Sequence, residues 1–176
     1  VFANGAQQLT KTTRLTATIN RTVDATLSFT QEGCSMLLVG EPCRSTLTVE
    51  NGGNSYNTFS LRLNDVSDAF NASLAQESLL VQVGQEKTFS DVFINVTQGT
   101  LAFTSGEVIV ELLGDGLTVL DSVNMPVKAA PMVKWSLSNV VEDINSKNRL
   151  SISFEVRNDG NAVDGFVVQL QSTHSL

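Results

Sequence analysis

The chain has 176 residues, 41% of them hydrophobic and 16% charged, with 11 basic against 18 acidic residues and a formal net charge of −7. That is enough apolar material for a packed core and too few charges for a disordered tail. The basic residues are scattered without a patch, which argues against nucleic acid as a partner, since phosphate neutralisation needs clustered Lys and Arg.

From the N-terminus, Leu15, Ala17 and Ile19 alternate with polar residues, so 9–19 reads as a strand. Alternation with β-branched and aromatic residues then predicts strands over 25–29, 46–49, 59–63, 93–96, 108–112, 123–127 and 150–154. Turn clusters separate them at Asn51-Gly52-Gly53-Asn54, Gln98-Gly99, Ser105-Gly106, Gly114-Asp115-Gly116 and Asn158-Asp159-Gly160-Asn161. A short helix fits only 65–76. Short strands at this spacing predict an all-β sandwich or barrel. No apolar run approaches the roughly 18–20 residues that span a bilayer, so no membrane span is expected in this segment.

Cys34 and Cys43 flank Gly40-Glu41-Pro42, where a reversal of direction brings them together as a disulfide candidate. Such a bond implies an oxidising compartment. The alternative is two separate small core residues. Two Cys and the single His174 are too few ligands for a structural zinc site.

An internal repeat organises the chain. Residues 49–63 align without gaps on 156–170, an offset of 107, with six of fifteen positions identical: Val49/Val156, Asn51/Asn158, Gly53/Gly160, Asn54/Asn161, Phe59/Phe166 and Leu63/Leu170. A weaker match at offset 108 sets Leu15, Ala17 and Ile19 on Val123, Met125 and Val127, and Leu27 and Phe29 on Trp135 and Leu137. A period near 107 is the size of one immunoglobulin-like domain. In each copy, Asn and Gly would tolerate positive φ in a turn, and the following Phe would point into the core. The expected architecture is therefore tandem immunoglobulin-like β-sandwich domains. Residues 1–21 form the last strand of a preceding repeat or an N-terminal arm, 22–128 a complete sandwich, and 131–176 the first three strands of an incomplete one.

Two explanations of that incompleteness stay open: a window on a longer protein, or strand donation, in which 9–19 of one copy completes the third piece of another. The first is favoured, because one donated strand still leaves the third piece short of a sandwich.

The residues Gly40-Glu41, then Leu47, Val49, Asn51, Gly53 and Asn54, then Phe59, resemble the CARDB and related immunoglobulin-like modules of prokaryotic, above all archaeal, surface proteins. The second copy repeats the pattern as Phe154, Val156, Asn158, Gly160, Asn161, Asp164 and Phe166. The resemblance covers about 30 residues of each repeat, and the Cys34–Cys43 loop is no part of it. It implies a module of S-layer proteins, adhesins or the stalks of large secreted proteins, a structural spacer without a site of its own.

No catalytic set is expected. His174 lies in a polar tail, and Gly114-Asp115-Gly116 lacks the lysine of a phosphate loop and reads as a hairpin turn. The carboxylate pairs Glu142–Asp143 and Asp65–Asp68 read as solvated. Asp65, Asp68, Asp115 and Asp159 sit in oxygen-rich turns that would suit calcium, yet no EF-hand or repeat-type motif is present, so no cofactor is expected. Asn20, Asn71 and Asn95 head N-glycosylation sequons, in a number that composition alone supplies. Trp135 and Tyr56 are phased as core residues, which argues against a carbohydrate-binding face.

The sequence thus predicts a non-enzymatic structural component of the extracellular cell surface, as S-layer, surface filament or stalk. Its partners would be neighbouring immunoglobulin-like domains of the same or identical chains, including a homopolymer. The alternatives are an accessory or adhesion module of a large secreted hydrolase or adhesin, and a filament subunit assembled by strand donation.

Overall fold

A computed structural model of the chain describes residues 12–30, 34–147 and 149–169. Their strands are β1 (Ala25–Thr30), β2 (Cys43–Asn51), β3 (Asn57–Val66), β4 (Phe70–Leu74), β5 (Ser78–Val81), β6 (Glu86–Val96), β7 (Ser105–Leu113), β8 (Val119–Lys128), β9 (Trp135–Ile144) and β10 (Leu150–Asn158). The first eight make two antiparallel four-stranded sheets, ordered β1-β2-β6-β4 and β5-β3-β7-β8. In immunoglobulin lettering the first is A-B-E-D, and the second is C-F-G with β5 added to the free edge of C. The protein is all-β, and its main body is an immunoglobulin-like β-sandwich.

Period-two alternation builds the core. On β6, Val92, Ile94 and Val96 turn inward; on β7, Val108, Val110 and Leu112 do the same. Leu47 and Val49 of β2 meet Phe59 of β3 and Met125 and Val127 of β8 in the same buried cluster. Each such side chain contributes about 1.5–3 kcal/mol of burial free energy. The edge strands β4 and β5 have only 5 and 4 residues, which limits the unpaired backbone they offer to other chains.

Three local expectations are corrected. The 65–76 segment is not helical: it holds the end of β3, a turn closed by Phe70 N donating to Ser67 O, and then β4. Phe70 is buried while Asn71 and Ser73 face outward, so pairing with β6 selects the two-residue period over helix propensity. β5 lies outside the predicted strands, and β9 was legible only as the alternating face around Trp135. Tyr56 is 66% exposed in the turn before β3 and is not a packing residue.

After β8, the buried Ala129 and Ala130 lead into a β9–β10 hairpin that forms its own two-stranded sheet. The described part of 131–176 supplies two strands, and residues 170–176, within the region where a third was expected, lie outside the described residues. Residues 163–169 form no strand: β3, at the corresponding position, is held between β5 and β7, and the described residues after Asn158 provide no such neighbours. At the other end, residues 12–24 also lie in no strand, and Leu9 falls outside the described residues.

Candidate assembly surface

The repeated Asn-x-Gly-Asn segments build two closely similar hydrogen-bonded cradles. In the first, Asn51 Oδ1 accepts from Gly53 N at 3.0 Å and Asn51 Nδ2 donates to Ser55 O at 3.0 Å. In the second, Asn158 Oδ1 accepts from Gly160 N at 2.9 Å and Asn158 Nδ2 donates to Ala162 O at 2.8 Å. The last Asn of each segment grips the chain entering the unit. Asn54 Oδ1 accepts from Thr22 N at 2.8 Å and Asn54 Nδ2 donates to Asn20 O at 2.7 Å. Asn161 does the same to Met132 N at 2.6 Å and Ala130 O at 3.0 Å.

These bonds revise two expectations. No residue of either turn has positive φ, so the Asn side chains are there to satisfy backbone groups rather than to adopt a left-handed conformation. The glycine leaves room for a carbonyl. A Cβ on Gly53 would lie 2.6 Å from Thr22 O, and one on Gly160 would lie 2.2 Å from Met132 O. Both carbonyls are already held by the Asn54 and Asn161 amides and cannot step aside freely. Gly53→Ala is therefore expected to destabilise the sandwich by about 1–3 kcal/mol in urea titration. Gly160→Ala should loosen the hairpin instead, read by fluorescence of Trp135, the one tryptophan.

The second revision concerns register. Asn20 and Thr22 correspond to Ala130 and Met132 through these bonds, and Ala25 pairs with Asn51 as Trp135 pairs with Asn158. The entering chains therefore match at an offset of 110, not 108. A two-residue shift keeps every side chain on the same face, so alternation alone could not separate the two.

The cradles differ in what surrounds them. Arg21 fans over the first, donating to Ser55 Oγ at 2.9 Å and Asn57 Oδ1 at 2.6 Å and pairing with Asp115 at 2.5 Å. Pro131 stands in its place at the second cradle. There the Asn161 carbonyl accepts from Ala102 N at 2.8 Å, so the 99–104 loop of the sandwich is bonded to the hairpin's turn. An open cleft of about 850 Å³ lies at this joint, lined by Gln98, Leu101, Met132, Trp135, Arg157 and Val163 among others. Trp135 is half-buried and meets Phe166 with ring centroids 5.4 Å apart. On the hairpin, Leu137, Val140, Val141, Ile144 and Leu150 all remain more than half exposed. A two-stranded sheet with this much bare apolar surface is marginal in water by itself.

The sulfurs of Cys34 and Cys43 are bonded, with Cα atoms 5.4 Å apart. The bond ties the β1–β2 connection to the first residue of β2. That connection closes one end of the sandwich: Leu37 bridges to Ala129 and Val39 to Val96.

Asn20 is exposed. Asn71 and Asn95 are directly opposed across the β4–β6 pair, where Asn71 Nδ2 donates to the hydroxyl of Thr97, the threonine of the other sequon, at 3.3 Å. The four aspartates considered for calcium are not brought together: Asp115 pairs with Arg21, Asp159 with Arg157, Asp65 lies on β3 and Asp68 in the turn before β4. Among the described residues no cluster of three or more His, Cys, Asp or Glu is placed to hold a metal ion. His174 lies outside the described residues.

On the outer face of the first sheet, Arg44 pairs with Asp91 at 2.6 Å and Thr46 Oγ1 donates to the same carboxylate at 3.0 Å. The Arg44 hydrogen bond, with a smaller contribution from Thr46, holds the Asp91 carboxyl below the usual carboxylate range against partial desolvation. A depressed folded pKa gives stability that is present above the unfolded value of about 3.9 and lost as pH falls through the folded value. Asp91→Asn should therefore flatten the acid limb of the stability profile, measured by urea titration between about pH 2.5 and 7. The effect should be small, as for most exposed ion pairs.

No protein-family model matches the chain, and no curated protein matches it in sequence. Among solved structures it is similar to SSP-19, an MSP-domain-like protein of Caenorhabditis elegans, at 15% identity and a TM-score of 0.34, over 55% of this chain and 94% of that one. It is also similar to a chaperone–tip adhesin complex of CFA/I fimbriae biogenesis, at 12% identity and a TM-score of 0.31, over 77% of this chain and 68% of that one. Both TM-scores fall well under one half, and the sandwich is defined by its own strand order and register.

Proposed function

We propose that the chain is a non-catalytic structural component of the cell surface, built from tandem immunoglobulin-like domains with a period near 107 residues. The observation that carries this reading is the bond-by-bond recurrence of the Asn-x-Gly-Asn cradle. One cradle opens an eight-stranded sandwich, and the other opens a hairpin whose apolar face has the composition of a sandwich interior with no second sheet against it among the described residues. The Cys34–Cys43 bond fits an oxidising, extracellular setting. Strand donation is the weaker account of the hairpin. The residues that would be donated correspond to β8, which is laddered to β7 along its length, and the described residues after Asn158 include no counterpart of β7.

Surface labelling tests the proposal. An antibody raised against residues 22–130 should bind intact, unpermeabilised cells, and the antigen should fractionate with large surface assemblies. Labelling that appears only after permeabilisation would sink the cell-surface reading.

A further inference from the structure

We propose that the end of the sandwich formed by Asn20, Thr22 and the 51–54 turn is a socket for another β-sandwich of the same kind. That partner's last strand is residues 12–20, and its closing loop donates a backbone N–H to the Asn54 carbonyl. The inference rests on the tandem-domain reading and adds to it a specific joint.

Two observations lead there independently. The first is an acceptor without a donor. At the second cradle the Asn161 carbonyl takes the Ala102 N–H of the sandwich that precedes it. The first cradle has the same internal bonds, yet among the described residues no donor reaches the Asn54 carbonyl. The second is a segment with a strand's alternation that lies in no sheet. At the offset of 110, Leu15, Ala17 and Ile19 fall on Met125, Val127 and Ala129. The latter three are at most 3% exposed, sealed into the sandwich along β8 and its continuation. Leu15 is 94% exposed and Ile19 is 85% exposed. Residues 12–20 thus carry β8's pattern of apolar and polar faces, with nothing among the described residues packed on the apolar one.

The partner's chemistry follows from what β8 needs. It must offer a β7-like edge for pairing and an apolar interior for the inward face. The β9–β10 hairpin of a second copy has free strand edges, but they belong to the counterparts of β1 and β2, and its described residues include no counterpart of β7. The sandwich of a second copy already holds its own β8, and its 99–104 loop is bonded to its own Asn161. The fitting occupant is a sandwich unit continuous with residue 12. Successive units would then meet through one repeated backbone bond and one buried strand, giving a stiff rod with a fixed rotation per unit rather than domains on a loose tether.

The test extends the chain with its own material. In one fusion a second copy of residues 22–121 is joined ahead of Thr12, so that 12–20 must serve as the last strand of the added unit. In the other a second copy of residues 22–130, carrying its own last strand, is joined ahead of Arg21. In the first fusion, amide exchange at Leu15, Ala17 and Ile19 should slow about 100-fold or more relative to the unextended chain. In both, residual dipolar couplings should give the new joint the same orientation as the existing joint at Ala130 to Met132. Fast exchange at 12–20 alongside a folded second fusion overturns the strand assignment. Folded units that tumble independently in both fusions overturn the socket while leaving the tandem reading intact. Failure of the added 22–130 copy to fold as a unit overturns the tandem reading together with the socket.

Discussion

Replacing Phe59 by alanine should remove about 3–5 kcal/mol of unfolding free energy from the eight-stranded sandwich. Phe59 is fully buried on β3, which is flanked on both sides by β5 and β7, so the surrounding backbone has little freedom to collapse into the space. The residue it matches in the repeat behaves differently. Phe166 is 53% exposed, and it meets the tilted ring of Trp135. Phe166→Ala should cost about 1 kcal/mol or less, the scale of one aromatic pair. Urea titration separates the two, because far-UV circular dichroism is dominated by the sandwich while fluorescence reports the single Trp135 in the hairpin. A domain's total stability is about 5–15 kcal/mol, so the first substitution should move the sandwich transition severely. Equal losses from the two substitutions would show that the matched positions are equally buried, contrary to the structure.

Removing the Cys34–Cys43 bond should lower stability by about 2–3 kcal/mol, the loss in chain entropy for a loop this short. The separation is 9 residues, and the bond's value lies in what the connection between the cysteines holds. Leu37 is buried, its N–H donates to Lys128 O at 2.8 Å, and its carbonyl accepts from Ala130 N at 2.7 Å. The same peptide therefore closes the sandwich and fixes the start of the linker to the hairpin. In the Cys34→Ser/Cys43→Ser variant the urea midpoint should fall with little change in slope. Amide exchange should quicken first at Leu37 and Ala130, ahead of the core amides of β6 and β7. A midpoint unchanged within error, or uniform loss of protection across the core, would contradict this assignment.

The inward face of the long core strands was readable from residue order. Val92, Ile94 and Val96 in one strand and Val108, Val110 and Leu112 in another alternate with less buried residues, and they are buried as that alternation predicts. The Asn-x-Gly-Asn segments were readable as turns, although the reason given by propensity was incomplete. Positive φ was the local explanation, whereas the side chains in fact satisfy backbone groups as far away in sequence as Asn20 and Val81. Two of the strands missed, β4 and β5, are ones whose justification is a neighbour. β5 has four residues and gains its ladder from β3, and β4 overrides a segment of helix-compatible composition by pairing with β6. At the joint, the apolar Leu101, Ala102 and Phe103 beside Gln98-Gly99 were a signal that a turn propensity scale discards.

Residue order alone determined the all-β character, the inward face of the long core strands and the matching Asn-x-Gly-Asn turns, because these depend on local chemistry and on a period of two, whereas Ser105-Gly106, expected as a turn, begins β7. Tertiary structure decided the two-residue phase of the entering strands, since that period is blind to a shift of two. It also decided which copies of a matched residue are buried, because burial belongs to the opposing sheet and not to the strand. Phe59 has such a sheet over it, and among the described residues Phe166 does not.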